Sequence, residues 1–202
     1  MGTAAAPPRV GRPRSVEADR AIVQATLELI AEEGLAPVTV EAVAARAGVG
    51  KTTVYRRWTG KDELVVDALA SLNDDLEPIG AGPASERLIR LLDQMRQRAQ
   101  GTVGGRIFPA MAACSGTHPQ LWALFHERVL EPRRELLRSL LREGVRDGEL
   151  RADLDIELAV NLLVGGMVHA LNLRPPGELV DDGYAARLVA LALAGLGSPP
   201  LC

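Results

Sequence analysis

The chain has 202 residues, of which 47% are hydrophobic, 24% charged and 3% aromatic. This composition is typical of a globular protein of one or two domains, and it excludes collagen-like and most low-complexity chains. No uninterrupted apolar run reaches the roughly 18 residues that a membrane-spanning helix needs, and no basic-then-apolar leader opens the chain. We therefore expect a cytoplasmic protein without a membrane partner.

Charge is divided unevenly along the chain. The 23 basic and 26 acidic residues give a net charge of -3. Residues 1–61 nevertheless carry nine basic and six acidic residues, whereas the remainder carries fourteen and twenty. This asymmetry predicts a basic head that meets an anion and an acidic body that does not.

Helix signals follow one another from the start of the chain. Residues 1–14 are Pro-rich and basic without apolar periodicity, which predicts a flexible arm or a solvated tail. Ser15 is a candidate N-cap of a first helix that Gly34 ends. Thr39 is a candidate N-cap of a second, short helix, which Gly48 ends.

Further helices are predicted to the end of the chain, and no segment shows strand alternation. A third short helix begins at Lys51 and a fourth at Lys61. Pro109 and Pro132 are expected to begin or kink helices, and Asp153 or Asp155 to cap one. We predict an all-α fold of about nine helices, three of them in the head. The expected divisions are an arm (1–14), a helix-turn-helix domain (15–61), a connecting helix and linker (62–82) and a C-terminal helical domain (83–202).

Residues 39–61, TVEAVAARAGVGKTTVYRRWTGK, have the pattern of a helix-turn-helix motif, two short helices joined by a tight Gly-containing turn. The second helix must enter a DNA major groove about 12 Å wide, so it needs exposed hydrogen-bonding and basic side chains. Val54 and Trp58, four residues apart, would be its buried face. The candidates for contact with DNA are Lys51, Thr52, Thr53, Tyr55, Arg56 and Arg57.

Lys61 is expected in the first turn of the fourth helix, where a positive charge opposes the helix dipole. A phosphate bound there would be attracted both by the lysine and by the free amides of the helix. Beside the helix-turn-helix pattern we therefore predict a phosphate contact at Lys61, the alternative being a solvated lysine.

Two other chemistries find little support in the sequence. GVGKTT resembles the end of a nucleotide-binding P-loop, but that motif needs glycine where Ala45 stands and a strand where TVEAVAARA has a helical pattern. The histidines lie in separate segments without metal-ligand spacing, and two cysteines are too few for a structural zinc site. We expect no metal, no cofactor and no enzymatic activity. The residues concerned are His118, His126, His169, Cys114 and Cys202.

The first 65 residues resemble the DNA-binding domain of the TetR family, the tetracycline-repressor-like regulators. The matching residues are the opening GRPRS, Thr39, Ala44 to Gly48, Thr53, Tyr55, Trp58, Lys61 and Leu64. The resemblance implies that the third helix lies in the major groove, with phosphate contacts from Thr39, Tyr55, Arg57 and Lys61. Lys51, Thr52, Thr53 and Arg56 remain the candidates for base contacts, and Arg12 and Arg14 of the arm are expected to contact DNA. Gly50 and Gly60 depart from the family, which usually has capping polar residues there.

The C-terminal half is implied by the same resemblance to bind a ligand and to dimerise. Residues 156–171 and the last helix are too apolar for a monomer surface, which favours a four-helix interface with a second copy over an intramolecular core. The expected interface residues are Leu162, Gly165, Gly166, His169, Leu188, Leu191 and Ala192. A mostly apolar pocket is expected among large or soft side chains, the alternative being ordinary core. These are Met95, Phe108, Met111, Cys114, Trp122, Phe125 and Met167.

Together these features predict a ligand-responsive regulator of transcription. We expect a homodimeric repressor that binds a pseudo-palindromic operator in double-stranded DNA and is released by a hydrophobic or amphipathic small-molecule effector. One alternative is an all-α enzyme or carrier that shares only the head. Another is a nonspecific nucleic-acid packaging protein.

Overall fold

The computed structural model describes residues 16–73, 78–100, 102–173, 175 and 178–196. Within these residues the fold is all-α, as predicted, without a β-strand. The elements are α1 (Val16–Glu33), α2 (Val40–Arg46), α3 (Lys51–Tyr55), α4 (Lys61–Ala70), a 3₁₀ turn (Ser71–Asn73), α5 (Ala84–Ala99), α6 (Val103–Ala113), α7 (Pro119–Phe125), a π segment (His126–Leu130), α8 (Glu131–Arg146), α9 (Ile156–Asn172) and α10 (Tyr184–Leu196). Because α7, the π segment and α8 are continuous, the described helices form nine separate rods.

Several helix ends lie where the sequence signals predict them. Thr39 caps α2 by accepting a hydrogen bond from the Ala42 amide at 3.0 Å, and Asp155 caps α9 in the same way. Gly34 and Gly48 have positive φ angles of 80° and 66°. Glycine adopts this left-handed conformation without steric strain, so it ends α1 and α2 cleanly.

The π segment lets the helix continue from α7 into α8 past Pro132. Pro132 has no N–H, and its ring crowds the carbonyl four residues earlier, that of Arg128. The amide nitrogen of the Asn73 side chain donates to the carbonyls of Arg128 and Val129, at 3.5 and 3.3 Å. The 3₁₀ turn after α4 therefore supplies hydrogen bonds to carbonyls of the π segment.

Two apolar clusters form the core. The first joins α1 to α4 with α6 and α7, and the second joins α5, α8, α9 and α10. The first cluster therefore crosses the division between head and body that was expected from sequence position. Helices α6 and α7 pack against the head although they belong to the later part of the chain.

The described residues give no sign of a membrane span or of a metal centre. None of the described helices is long and apolar enough to cross a bilayer. No three His, Cys, Asp or Glu side chains in the described ranges form a group that could hold a metal ion. Cys114 is half-buried and carries a free thiol.

Candidate DNA-binding surface and ligand cavity

Helix α3 is anchored on one side and exposed on the other. Val54 is fully buried, and Trp58, just beyond the helix, is 7% exposed, which agrees with the predicted inward face. Tyr55 lies on the outer side and is 51% exposed. The other predicted contact residues on this side are exposed at Lys51, Thr52 and Arg56 and half-buried at Thr53.

Two of the predicted contact residues, Lys51 and Thr39, interact with α2. Nζ of Lys51 lies 3.2 Å from a carboxylate oxygen of Glu41, and both side chains are more than half exposed. The pKa of the Glu41 carboxyl is lowered, first by a hydrogen bond from its own backbone and then by the hydrogen bond and the charge of Lys51. Exposed ion pairs of this kind contribute little to the stability of the fold, so Lys51 can exchange this carboxylate for another anion. Thr39 is exposed, and its hydroxyl can still donate a hydrogen bond while its oxygen caps α2.

Arg57, which is predicted to contact a phosphate, is largely buried. Its side chain is 10% exposed, and Nε forms an ion pair with Asp19 of α1. Nη1 donates to the carbonyl of Thr53 at 3.0 Å. A phosphate contact would have to share this guanidinium with Asp19 and the Thr53 carbonyl. Arg57 is therefore a positioning residue that joins α3 to α1.

Lys61 also has an intramolecular role. Its Nζ donates to the carbonyl of Leu35 at 2.9 Å and lies 3.5 Å from that of Ala36, so it holds the loop between α1 and α2. These carbonyls offset the unfavourable position of a lysine at a helix N-terminus. A phosphate would have to share this ammonium group with the loop. Arg12 and Arg14, also predicted to contact DNA, lie outside the described residues.

Asp67 of α4 connects the head to the π segment, a role that sequence reasoning missed. One carboxylate oxygen accepts from the indole N–H of Trp58 at 3.0 Å, and the other accepts from Nη1 of Arg128 at 2.9 Å. Trp58 follows α3 directly, whereas Arg128 lies 61 residues after Asp67. This long separation leaves no local sequence signal for the contact.

A cavity of about 1170 Å³ lies between the two apolar clusters. It exceeds the range of about 300–1,000 Å³ that is typical of small-molecule sites. Val23 and Leu27 of α1 form part of its wall, so the head contributes to it directly. The other large apolar side chains that line it are Leu72, Leu91, Leu92, Met95, Val103, Phe108, Trp122, Leu130, Leu136, Leu137, Val164, Val168 and Leu171.

The residues predicted to bind ligand divide into two groups. Met95, Phe108 and Trp122 are in the cavity wall. Hydrophobic spacing could not separate this wall from the core, because both consist of apolar side chains facing inward. Met111, Phe125 and Met167 are buried in the core clusters, and Cys114 packs against the first cluster, all four outside the wall. Phe125 supports the wall from behind, its ring centroid 5.7 Å from that of Trp122.

Helices α9 and α10 present an exposed apolar face. Leu162 is 48% and Leu191 75% exposed, and the predicted interface positions Gly165 and His169 are also exposed. Leu158, one helical turn before Leu162, extends this stripe, and the same four-residue spacing could have identified it. We call Leu158, Leu162, Gly165, His169 and Leu191 the α9–α10 face.

The other predicted interface residues take part in packing within the chain. A side-chain carbon on Gly166 would lie 2.8 Å from Cδ1 of Leu188, so these two residues form the close contact between α9 and α10. Ala192 is buried in the second cluster. Small size at Gly166 and Ala192 serves the packing of one protomer, and the structure does not place Ala192 on the exposed face.

Comparison with known proteins gives consistent matches over most of the chain. The family model described as bacterial regulatory proteins, tetR family, matches residues 22–68, and that of the tetracyclin repressor-like C-terminal domain matches residues 78–192. An uncharacterized HTH-type transcriptional regulator of Bacillus subtilis, YdeS, is 31% identical over 186 residues, 92% of this chain and 93% of its own. A protein described as the DNA-binding transcriptional repressor TetR of Mycobacteroides abscessus is 34% identical over 84 residues, 40% of this chain and 43% of its own. The crystal structure of the TetR family transcription regulator SCO0332 superposes with a TM-score of 0.69 at 31% identity, covering 90% of this chain and 100% of that one.

Proposed function

Because the chain belongs to the TetR family of ligand-responsive, DNA-binding transcriptional regulators, we propose that it is a homodimeric repressor that a hydrophobic or amphipathic effector releases from a pseudo-palindromic operator. The observation that carries this proposal is the position of α3, anchored by Val54 and Trp58 with its polar side exposed. The relative described as a repressor, which matches 84 residues of this chain, supports the direction of regulation. A purely catalytic or packaging role is not favoured by membership of this family.

The head would make two kinds of contact with DNA, one to base edges and one to phosphates. Thr52, Thr53 and Arg56, which are exposed or half-buried, would contact base edges, and Lys51 would do so after leaving Glu41. Tyr55 and Thr39 would fix the orientation of the head by bonding phosphates, and Lys61 would add a contact shared with the α1–α2 loop. Arg57 would act indirectly, by holding α3 against α1.

Dimerisation would use the α9–α10 face. Its exposed leucines are large apolar groups whose burial against a second copy would be favourable. A two-fold axis through this face would present two α3 helices to successive turns of DNA, about 34–36 Å apart.

The effector would act from the cavity. Because that cavity separates the two apolar clusters, an occupant that forces them apart would move α1 and the π segment relative to each other. Asp67 would carry this movement to the end of α3 through Trp58. The effector thereby favours the arrangement that fits the operator less well.

Selection of bound fragments from genomic DNA, followed by fluorescence anisotropy, tests the proposal. We expect a palindromic sequence to emerge and to bind at least about a hundredfold more tightly than a scrambled duplex. Arg56→Gln should weaken operator binding about tenfold, whereas Arg106→Gln, which removes an exposed guanidinium from α6, should leave it unchanged. Equal affinity for operator and scrambled duplex, or equal binding by the two variants, would contradict the proposal.

A further inference from the structure

The cavity has charged side chains of one sign only. Arg20, Arg98, Arg133 and Arg134 line it, and none of its described lining residues is aspartate or glutamate. The rest of the wall is mostly apolar. A cavity of this kind combines a low-dielectric interior with positive charge, which is the arrangement that attracts an anion with an apolar body.

Arg133 is a cavity-lining guanidinium whose hydrogen-bond partner, among the described residues, is a neutral side chain. It is half-buried on α8, and within the described part of the chain its side chain bonds only the neutral Asn73, whose Oδ1 accepts from Nε at 2.6 Å. Burial lowers the pKa of Arg133, and repulsion from the charge of Arg98 lowers it further. Charges withdrawn from water are normally paired with a charge of opposite sign. A bound anion would supply such a partner to Arg133.

Arg98 of α5 is the second guanidinium of this pair. Its Nη1 donates to the carbonyl of Leu72 at 3.2 Å, again a neutral acceptor. Arg134 differs, because it donates to Asn161 at 2.9 Å and lies 3.7 Å from the carboxylate of Glu157. Arg98 and Arg133 are thus two neighbouring positive charges in the wall of an apolar cavity, and neither has a carboxylate partner among the residues that the structure describes.

We propose that the effector, within the function proposed above, is an amphipathic organic anion whose head group binds Arg98 and Arg133 while its apolar body lies against Met95, Phe108 and Trp122. Arginine is suited to this task because its planar guanidinium bonds carboxylate and phosphate oxygens in pairs. A carboxylate and a phosphate ester both satisfy this chemistry.

The same two guanidiniums hold the end of α4, which couples binding to the head. Arg98 bonds Leu72 and Arg133 bonds Asn73, both in the 3₁₀ turn after α4. An anionic head group competes with these neutral acceptors and, because charge-assisted hydrogen bonds are stronger, replaces them as the acceptor of the guanidinium N–H groups. The turn then loses two bonds to the body, and Asn73 is no longer fixed beside the π segment.

Displacement of the neutral dye N-phenylnaphthylamine from the full-length protein tests the proposal with ligands that share one alkyl chain. Dodecanoate and dodecyl phosphate are compared with dodecanol and dodecyltrimethylammonium, all below their micellar concentrations. We expect one or both anions to bind about tenfold or more tightly than the alcohol, the effect of a charge-assisted hydrogen bond, and the cation to bind weakest. Preference between the two anions then identifies the head group.

Variants locate the effect in the cavity. Arg133→Gln and Arg98→Gln should each remove most of the advantage of the anion while dye and dodecanol bind as before. Arg133→Lys should restore part of the advantage, and the exposed control Arg106→Gln should retain all of it. Equal binding of anion and alcohol by the wild type, or an anion preference that survives both glutamine variants, would overturn the assignment. Operator affinity measured without ligand distinguishes failure of one proposal from failure of the other. If the wild-type protein binds no operator, the DNA-binding function is refuted while the proposed ligand class still stands.

Discussion

Two adjacent arginines after α3, Arg56 and Arg57, have different environments that their sequence positions do not reveal. Arg56 is exposed, whereas the Arg57 side chain is 10% exposed and bonded to Asp19 and to the carbonyl of Thr53. A side chain that contacts DNA must reach the surface, and most of the Arg57 side chain is instead packed beside Asp19. Charge alone therefore does not define the DNA-binding surface.

Substitution of these arginines should separate stability from DNA binding. Arg57→Gln should lower the free energy of unfolding by about 1–3 kcal/mol, because it removes the ion pair with Asp19. Arg56→Gln should change stability by less than about 0.5 kcal/mol while weakening operator binding. Urea denaturation of both variants measures the difference. An Arg57→Gln variant as stable as the wild type would show that this residue does not join α1 to α3.

At the scale of elements, α4 and the π segment are joined at two points. Asp67 receives hydrogen bonds from Trp58 and Arg128, and Asn73 donates to the carbonyls of Arg128 and Val129. Pro132 has no N–H and so leaves one carbonyl of the preceding turn without its helical partner, which favours the second contact. An irregularity in one helix has thus become the attachment site of another.

Asp67→Asn tests the connection to α3. The amide keeps the shape of the carboxylate but loses its charge and one acceptor, so we expect unfolding to be about 1–2 kcal/mol easier. The exposed control on the same helix, Asp62→Asn, should be close to wild type. Urea denaturation followed by the combined fluorescence of Trp58 and Trp122 measures the stability of both variants. If the two variants are equally stable, Asp67 does not connect the head to the π segment.

At the scale of the whole molecule, the α9–α10 face is largely apolar and exposed, while the opposite side of these helices packs in the second cluster. Tight packing of Gly166 against Leu188 makes α9 and α10 a fixed pair. The face that this pair presents is consequently a preformed surface, suited to a constant interface between two copies of the chain.

Glutamate at this face should prevent dimerisation. Leu191→Glu and Leu162→Glu each place a charge where the second copy would bury an apolar group, so both should be monomeric in sedimentation at micromolar concentration. Their affinity for the operator should fall at least about tenfold, because a monomer loses the second half-site. Val16→Glu, an equally exposed position on α1, is the control for added charge. Dimers that survive both leucine substitutions would place the interface elsewhere.

Sequence reasoning located what is local and missed what is distant. The caps at Thr39 and Asp155 and the glycine ends of α1 and α2 follow from residue chemistry over a few positions, and the structure confirms them. Partners such as Arg57 with Asp19 depend on how helices cross, which spacing along one helix does not encode. For the same reason the apolar residues of the body were identified as inward-facing without being divided between core and cavity.

The contribution of α1 to the cavity wall has an evolutionary consequence. The helix that supplies Val23 and Leu27 to the cavity also carries Asp19, which positions Arg57 beside α3. Under the proposed function, substitutions that change inducer preference at Val23 or Leu27 fall within about two turns of Asp19, which contacts Arg57. A lineage that acquires a new inducer through this helix must therefore preserve Asp19 if it is to keep its set of regulated promoters.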